Sequence, residues 1–219
     1  SIGMASFTMH VIGSVVFIVF NAELKFYGGD IAVASLGIVN SIATLFLMPI
    51  FGINQGIQPI LGYNFGAKKY DRLQDTLKAS MIIATIVCLT GFVVILFFSE
   101  FIVNVFSKND YALIYNGSHG LRMFTLLFPV IGFQIVAVGY FQAIGKAKHS
   151  LFFTLLRQAL FLIPALLILP GFLNLDGVWI AGPVSDGFSA VVMVLFLLNE
   201  WRYLEEQKGI KELRINTAV

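Results

Sequence analysis

Apolar residues run in six long blocks along this chain, and polar residues gather in the short stretches between them. The blocks are Ser6–Leu24, Ala32–Ile53, Ala79–Phe101, Leu121–Gln142, Leu151–Pro170 and Gly177–Asn199. About 20 mainly apolar residues cross the roughly 30 Å of bilayer hydrocarbon as a helix. Each block therefore predicts a spanning helix, with tilt taking up excess length. The fourth, fifth and sixth contain Gly or Pro, which spanning helices tolerate because neighbours re-satisfy the freed backbone groups.

The connecting stretches carry turn and interface chemistry. Gly28-Gly29-Asp30 predicts a tight turn between the first two helices. The segment Asn54–Lys78 is the longest polar break, and its second half, Tyr70–Lys78, has the spacing of a short amphipathic helix at the membrane surface. Asn104–Gly120, Gly145–Ser150 and Gly171–Asp176 read as loops, and the charged stretch from Glu200 as a solvated helix. Residues 1–199 form one membrane domain and 200–219 a cytoplasmic tail. Gln58 through Lys68 and Gln142 through Lys146 each close a helix with Gln, Gly and Lys. That echo fits an internal repeat or two similar helix exits.

Composition agrees with the pattern. The chain is 58% hydrophobic and 12% charged, with mean hydropathy +0.88, whereas soluble domains are about half apolar and a quarter charged. The 219 residues leave no room for a soluble catalytic domain. The first apolar run is too long for a signal-peptide core and lacks a charged region before it. The chain opens on Ser1 almost directly into a membrane helix, so it reads as a piece of a longer protein.

The net charge of +2 matters less than its placement. With the first helix running outward, Lys68, Lys69, Arg72, Lys78, Lys146, Lys148, Arg202, Lys208, Lys211 and Arg214 fall inside. Lys25, Lys108 and Arg122 fall outside. Basic residues collect on the cytoplasmic side, which places the C-terminus in the cytoplasm. The cytoplasmic basic cluster is Lys68, Lys69, Arg72, Lys146, Lys148 and Arg157.

Chemistry centres on a few polar residues within the spans. Asp186 lies about ten residues into the last block, roughly 15 Å deep. A carboxylate there costs about 2.5–3.5 kcal/mol to insert and faces a partner or a wet cavity. Asp186 suits an ion-responsive acid, and equally a structural acid bonded to Ser185, Ser189 or the backbone near Gly182-Pro183. Arg157 reads as a residue snorkelling to the inner face, or as a partner of Asp186. Their depths differ by about 10 Å at 1.5 Å per residue, so direct pairing needs tilt.

His10 is read as a hydrogen-bonded core histidine, and His119 and His149 as solvated at the interfaces. Cys88 is a single cysteine, which excludes an intrachain disulfide; it reads as a small packing residue. Asn21, Asn40, Gln55, Gln58, Gln134 and Gln142 either glue helices together or line a cavity, where nearby rings would accept a flat cation. Pro129, Pro164 and Pro183 lie within spans, and each can kink its helix as a static bend or a hinge.

Two other classes are weighed. Gly187-Phe188-Ser189-Ala190 faintly matches an intramembrane serine-protease turn, but a serine nucleophile needs a nearby base, and His10 is the only histidine within a span. A six-helix channel or scaffold subunit should show a filter motif or pore-facing charges; neither occurs in the sequence. No metal-ligand spacing, phosphate loop or nucleic-acid motif occurs either.

The stretch Pro49–Arg72, PIFGINQGIQPILGYNFGAKKYDR, resembles the multidrug and toxic compound extrusion (MATE) family, where a helix ends in Gly-x-x-Gln-Gly-x-Gln-Pro-x-x-Gly-Tyr-Asn-x-Gly-Ala. Tyr140–Pro164 and Gly177–Asp186 resemble its later blocks, in the same order. The likeness covers nearly the whole chain and is greatest to the bacterial MepA-like branch.

It implies an all-α polytopic fold: six transmembrane helices forming the C-terminal lobe of a twelve-helix transporter, equivalent to helices seven to twelve. It also implies an N-terminal six-helix lobe as partner and export of cationic amphipathic drugs in exchange for H⁺ or Na⁺. No cofactor is implied beyond that ion, and the location is the cell membrane. Asp186 becomes the ion-coupling candidate. Some family members place acids mid-way in the first and fourth helices of this lobe. Here those places hold Gly13 and Ser14, and Phe133 and Gln134, so a cation site of that type is not expected.

Overall fold

The computed structural model describes residues 2–107 and 109–216, with side chains for 10–107 and 109–208. Lys108 and the side chains of Lys211 and Arg214, placed above in flanking segments, lie outside the described residues. Eight α-helices follow: α1 Ile2–Gly66, α2 Tyr70–Ser107, α3 Tyr111–Phe124, α4 Phe128–Ala143, α5 Ala147–Leu155, α6 Ile163–Ile168, α7 Pro170–Leu173 and α8 Leu175–Asn216. A π-helix, Leu156–Leu162, joins α5 to α6.

These build six spans. α1 is two spans, residues 2–28 and 30–66, divided at Gly29, where φ is 66° and ψ −162°. That backbone region is essentially reserved for glycine, so the Gly-Gly-Asp sequence fixes the turn. Both arms enter one core: Phe20 and Leu24 from the first, Ala32, Leu36 and Val39 from the second. α2 is the third span. α3 and α4 meet at 54° and form a bent fourth. The fifth runs Ala147–Leu173, and α8 is the sixth.

The loops are shorter than the polar pattern predicts. Residues 54–66 are helix, and Tyr70–Lys78 is no separate surface helix but the first turns of α2. The amides Gln55, Gln58 and Asn64 mimic loop composition, yet a helix satisfies its backbone whatever its side chains, and Asn64 Nδ2 donates to the Ile60 carbonyl at 2.9 Å. The fourth span likewise starts at Tyr111, inside the predicted loop, where Asp110 Oδ1 accepts from the Ala112 and Leu113 N–H groups and caps α3. The charged tail continues α8 without a break.

Contacts at the two ends show the alternation of direction. Gly28 meets Leu175, and His119 lies 2.8 Å from Asp176 at one end. At the other, Gly62 approaches Ala143, and Lys146 pairs with Glu200. Exposed rings fit a bilayer: Phe97, Phe101 and Phe172 face outward, as do Tyr111 and Tyr115. Tyrosines near span ends suit the interface.

Small residues let the helices close up, as membrane packing requires. A Cβ on Gly132 would sit 2.6 Å from the Ala84 carbonyl oxygen of α2. Backbone cannot rotate aside as a side chain can. Gly132→Val is therefore expected to cost about 1–3 kcal/mol, read as a lower unfolding temperature of the detergent-purified intact protein; an unchanged temperature would refute this close packing.

Candidate functional site

Two hydrophobic clusters fill the bundle, one around Phe128 and Trp179, the other around Tyr140 and Met193. A polar layer separates them. On α4, Gln134 falls between Ile131 of the first cluster and Val136 of the second. On the fifth span, Arg157 and Gln158 fall between Phe153 and Ala165. On α8, Ser185, Asp186 and Ser189 fall between Ala181 and Met193. Asp186 is eleven residues past Leu175, about 16 Å along the axis and so near mid-membrane.

Arg157 Nε lies 2.7 Å from Asp186 Oδ1. The expected gap in depth is absent: Ser185 Oγ meets the Arg157 carbonyl at 2.7 Å, so Arg157 and Asp186 stand level on neighbouring spans. The contact is an ion pair without hydrogen-bond alignment, since Nε–H has no aligned acceptor among the described residues. The pair is unequal, the Asp186 side chain being 6% exposed and that of Arg157 37%. Arg157 thus stands apart from the cytoplasmic basic cluster, and its contact is with the acid rather than with the loops.

The surroundings hold backbone as well as side chains. Gln134 Nε2 donates to the Asp186 carbonyl at 2.8 Å, and Ser189 Oγ donates to Gln134 Oε1 at 3.2 Å. Ser185 Oγ donates to the Arg157 carbonyl at 2.7 Å. In the π turn the Ile163 N–H reaches back five residues to the Gln158 carbonyl, just ahead of Pro164, which has no N–H to donate. π segments recur at functional sites.

A cavity of about 210 Å³ opens beside this layer. Asn54, Gln134, Gln142, Arg157 and Gln158 supply polar walls, and Phe51, Phe153 and Met193 apolar ones. Asn54 Oδ1 and Gln158 Oε1 are buried without a donor among the described residues.

Of the amides singled out by sequence, Gln134 and Gln142 border this cavity. Gln142 Nε2 also donates to Ser150 Oγ at 2.9 Å. Asn21 bonds back to the Phe17 carbonyl at 2.7 Å. Asn40 and Gln55 are exposed, and Gln58 is half-buried; these four do not line it. Asn54 and Gln158 were missed. Thr154, Arg157 and Gln158 sit at i, i+3 and i+4 of an apolar span, a one-faced polar stripe that could have found Gln158.

The remaining residues are placed plainly. Pro129 opens α4 just past the 54° bend, Pro164 follows the π-helix, and Pro183 is buried inside α8. His10 is exposed rather than a core residue, because its stretch of the first span lies on the outside of the bundle. His119 pairs with Asp176, and exposed His149 stacks on Phe141 with centroids 5.6 Å apart. Cys88 is buried against α4 near Gly132. Lys69 lies over the Tyr63 ring at 5.6 Å. Lys146 contacts both Glu200 carboxylate oxygens at 2.7 Å, Tyr140 Oη donates to Glu200 Oε1, and Lys146 also overlies the Tyr203 ring. The single Ser189 hydroxyl proton is shared between Gln134 Oε1 at 3.2 Å and the Asp186 carbonyl at 3.0 Å, and no histidine is among its partners.

Six spans, with an acid and a base paired between the last two, describe a polytopic membrane protein. The chain belongs to the MatE family, whose model matches residues 4–168. It is 27% identical over 203 residues to the multidrug export protein MepA of Staphylococcus aureus, covering 91% of this chain and 44% of that protein. A solved complex of the MATE multidrug transporter DinF-BH is 38% identical, with TM-score 0.78 over 90% of this chain and 44% of that one. An inward-facing MATE transporter superposes with TM-score 0.87 at 21% identity, covering 93% of this chain and 47% of its own; that likeness is one of fold. The chain spans about half the length of the relatives it matches. These relatives are transporters, which removes the protease reading.

Proposed function

We propose that this chain is the C-terminal lobe of a multidrug antiporter, acting with an N-terminal six-helix lobe to export cationic amphipathic drugs in exchange for H⁺ or Na⁺. The observation that carries the reading is the Arg157–Asp186 pair beside a polar cavity, in a chain of this family. Two lobes would rock about a central path, and an ion shifts that equilibrium only if it binds the two states differently. A mid-membrane carboxylate already holding a cation meets that need, because an incoming ion changes what the carboxylate holds. Asp186 is the ion-coupling group. Gln134 and Gln142, with Asn21, Asn40, Gln55 and Gln58 on the first two spans, are the amides offered to substrate. Pro129, Pro164 and Pro183 are the bends about which segments shift.

Lys68, Lys69, Arg72, Lys146 and Lys148 face the cytoplasm, as does the C-terminus. The division at residue 199 is one of surroundings along a continuous α8: membrane before it, cytoplasm after. Cells stripped of their own pumps and expressing the intact two-lobe protein are expected to retain less of a fluorescent organic cation than control cells. Equal retention, with the protein present in the membrane, would refute the export reading.

A further inference from the structure

An apolar groove of about 260 Å³ opens between α2, α4 and α8, lined by Met81, Phe133, Val194, Leu197, Leu198 and Trp201. Its register follows from a contact nearer the end of the bundle. Lys208 of α8 meets Asp71 of α2 at 2.6 Å, and the two helices run in opposite directions. Counting ten residues inward from each partner brings Met81 level with Leu198, and both line the groove. Counting seven brings Lys78 level with Trp201. Lys78 is one turn before Met81 and Arg202 one turn past Leu198, so both cations lie at the same end of the groove. Both are exposed, and neither has an ion-pair partner among the described residues. Asp75 and Glu205 lie a further turn toward water, and Glu200 is held by Lys146.

The groove opens to lipid. Exposed residues around it are apolar: Ile82 and Ile86 on α2, Val191 and Leu195 on α8. Exposed polar side chains within the spans, Asn40, Ser41, Thr44 and Gln55, stand on α1 instead. Trp201 suits the level where hydrocarbon gives way to head groups. Lipid tails are as apolar as the groove, so its wall offers shape rather than driving force. Selection among lipids falls to charge at the head, and basic residues at the membrane surface attract anionic lipids. We propose that this groove binds one anionic phospholipid of the leaflet at that end, with an acyl chain along Met81 and Leu198 and the phosphate held by Lys78 and Arg202. That leaflet is the cytoplasmic one in the orientation given above. The bound lipid joins α2 to α8 where their own side chains leave a gap.

The test is native mass spectrometry of the intact two-lobe protein, purified in detergent and titrated with phosphatidylglycerol or with phosphatidylcholine of the same chains. Phosphatidylglycerol is expected to bind at least about tenfold tighter. Lys78→Gln and Arg202→Gln should each weaken it about fivefold, the strength of one basic residue at a charged membrane surface, and leave phosphatidylcholine within about twofold. Lys148→Gln removes the same charge from α5, which is no wall of the groove, and should shift neither lipid by more than about twofold. Val194→Trp with Leu198→Trp fills the groove with rings and should weaken both lipids; Leu198→Trp alone replaces the pair if the pair does not fold. Equal binding of the two lipids, or a loss in Lys148→Gln as large as in the other two, overturns the proposal, because the attraction then belongs to the surface at large. Unchanged binding in the tryptophan variants overturns it as well, and so does inorganic phosphate that competes as strongly as the lipid, since no chain is then seated. A dimeric mass that the tryptophans dissociate would give the groove to a second copy of the protein. Binding in detergent does not depend on which way the protein sits in a membrane, so the lipid site and the orientation fail separately.

Discussion

Replacing Arg157 by leucine is expected to destabilise the lobe by about 3 kcal/mol, while Asp186→Asn is tolerated far better. The asymmetry comes from exposure. Asp186 is 6% exposed, so removing Arg157 strands a carboxylate between two hydrophobic clusters. Removing a partner from a buried pair costs about 3–5 kcal/mol, and the partly open position of Arg157 puts this case at the low end. Removing Asp186 instead leaves a guanidinium 37% exposed beside a polar cavity. The double change Arg157→Leu with Asp186→Asn should recover most of the loss, because no charge is left buried. Thermal unfolding of the purified intact protein reads all three. A single Arg157→Leu as stable as the unaltered protein would mean that the pair contributes nothing to the fold.

The second large effect is on transport. Asp186→Asn is expected to cut gradient-driven efflux at least about tenfold at unchanged protein abundance, since a ligand that binds two states alike shifts neither. Asparagine keeps the size of the side chain and the two backbone bonds around residue 186, those from Gln134 and Ser189. What it loses is the charge. Efflux equal to that of the unaltered protein would sink the coupling role and leave Asp186 as a structural partner of Arg157.

The six spans were readable because hydrocarbon thickness imposes a length that composition reveals directly. The Gly29 turn was readable too, since Gly28-Gly29-Asp30 suits few conformations. Residues 54–66 were not: Gln55, Gln58, Pro59 and Asn64 have loop composition, and only tertiary packing shows them helical, with Leu61 and Asn64 turned inward. The fourth span was found and Pro129 marked as a place where it can kink; the 54° bend lies just before it, between Phe124 and Phe128, with Pro129 in the first turn after the break.

Pairing of Arg157 with Asp186 was one of two readings the sequence offered, but counting depth along separate helices set them about 10 Å apart, whereas the Ser185 hydroxyl meets the Arg157 carbonyl and the two stand level. Lys146 with Glu200 was hidden. The sequence assigned one to a basic cluster and the other to a solvated tail, and only the packing of α8 against the start of α5 brings them together. Asn54 and Gln158 look like any other amides until the fold brings both residues to one cavity.

The most direct measurement places the purified intact protein in sealed vesicles with a fluorescent organic cation at equal concentration on both sides and imposes an inward H⁺ or Na⁺ gradient. Dye should leave against its own gradient, stop when an ionophore collapses the ion gradient, and fail to do so with Asp186→Asn. Dye movement that only follows its own gradient, indifferent to the ionophore and to Asp186, would contradict an antiporter and favour a channel.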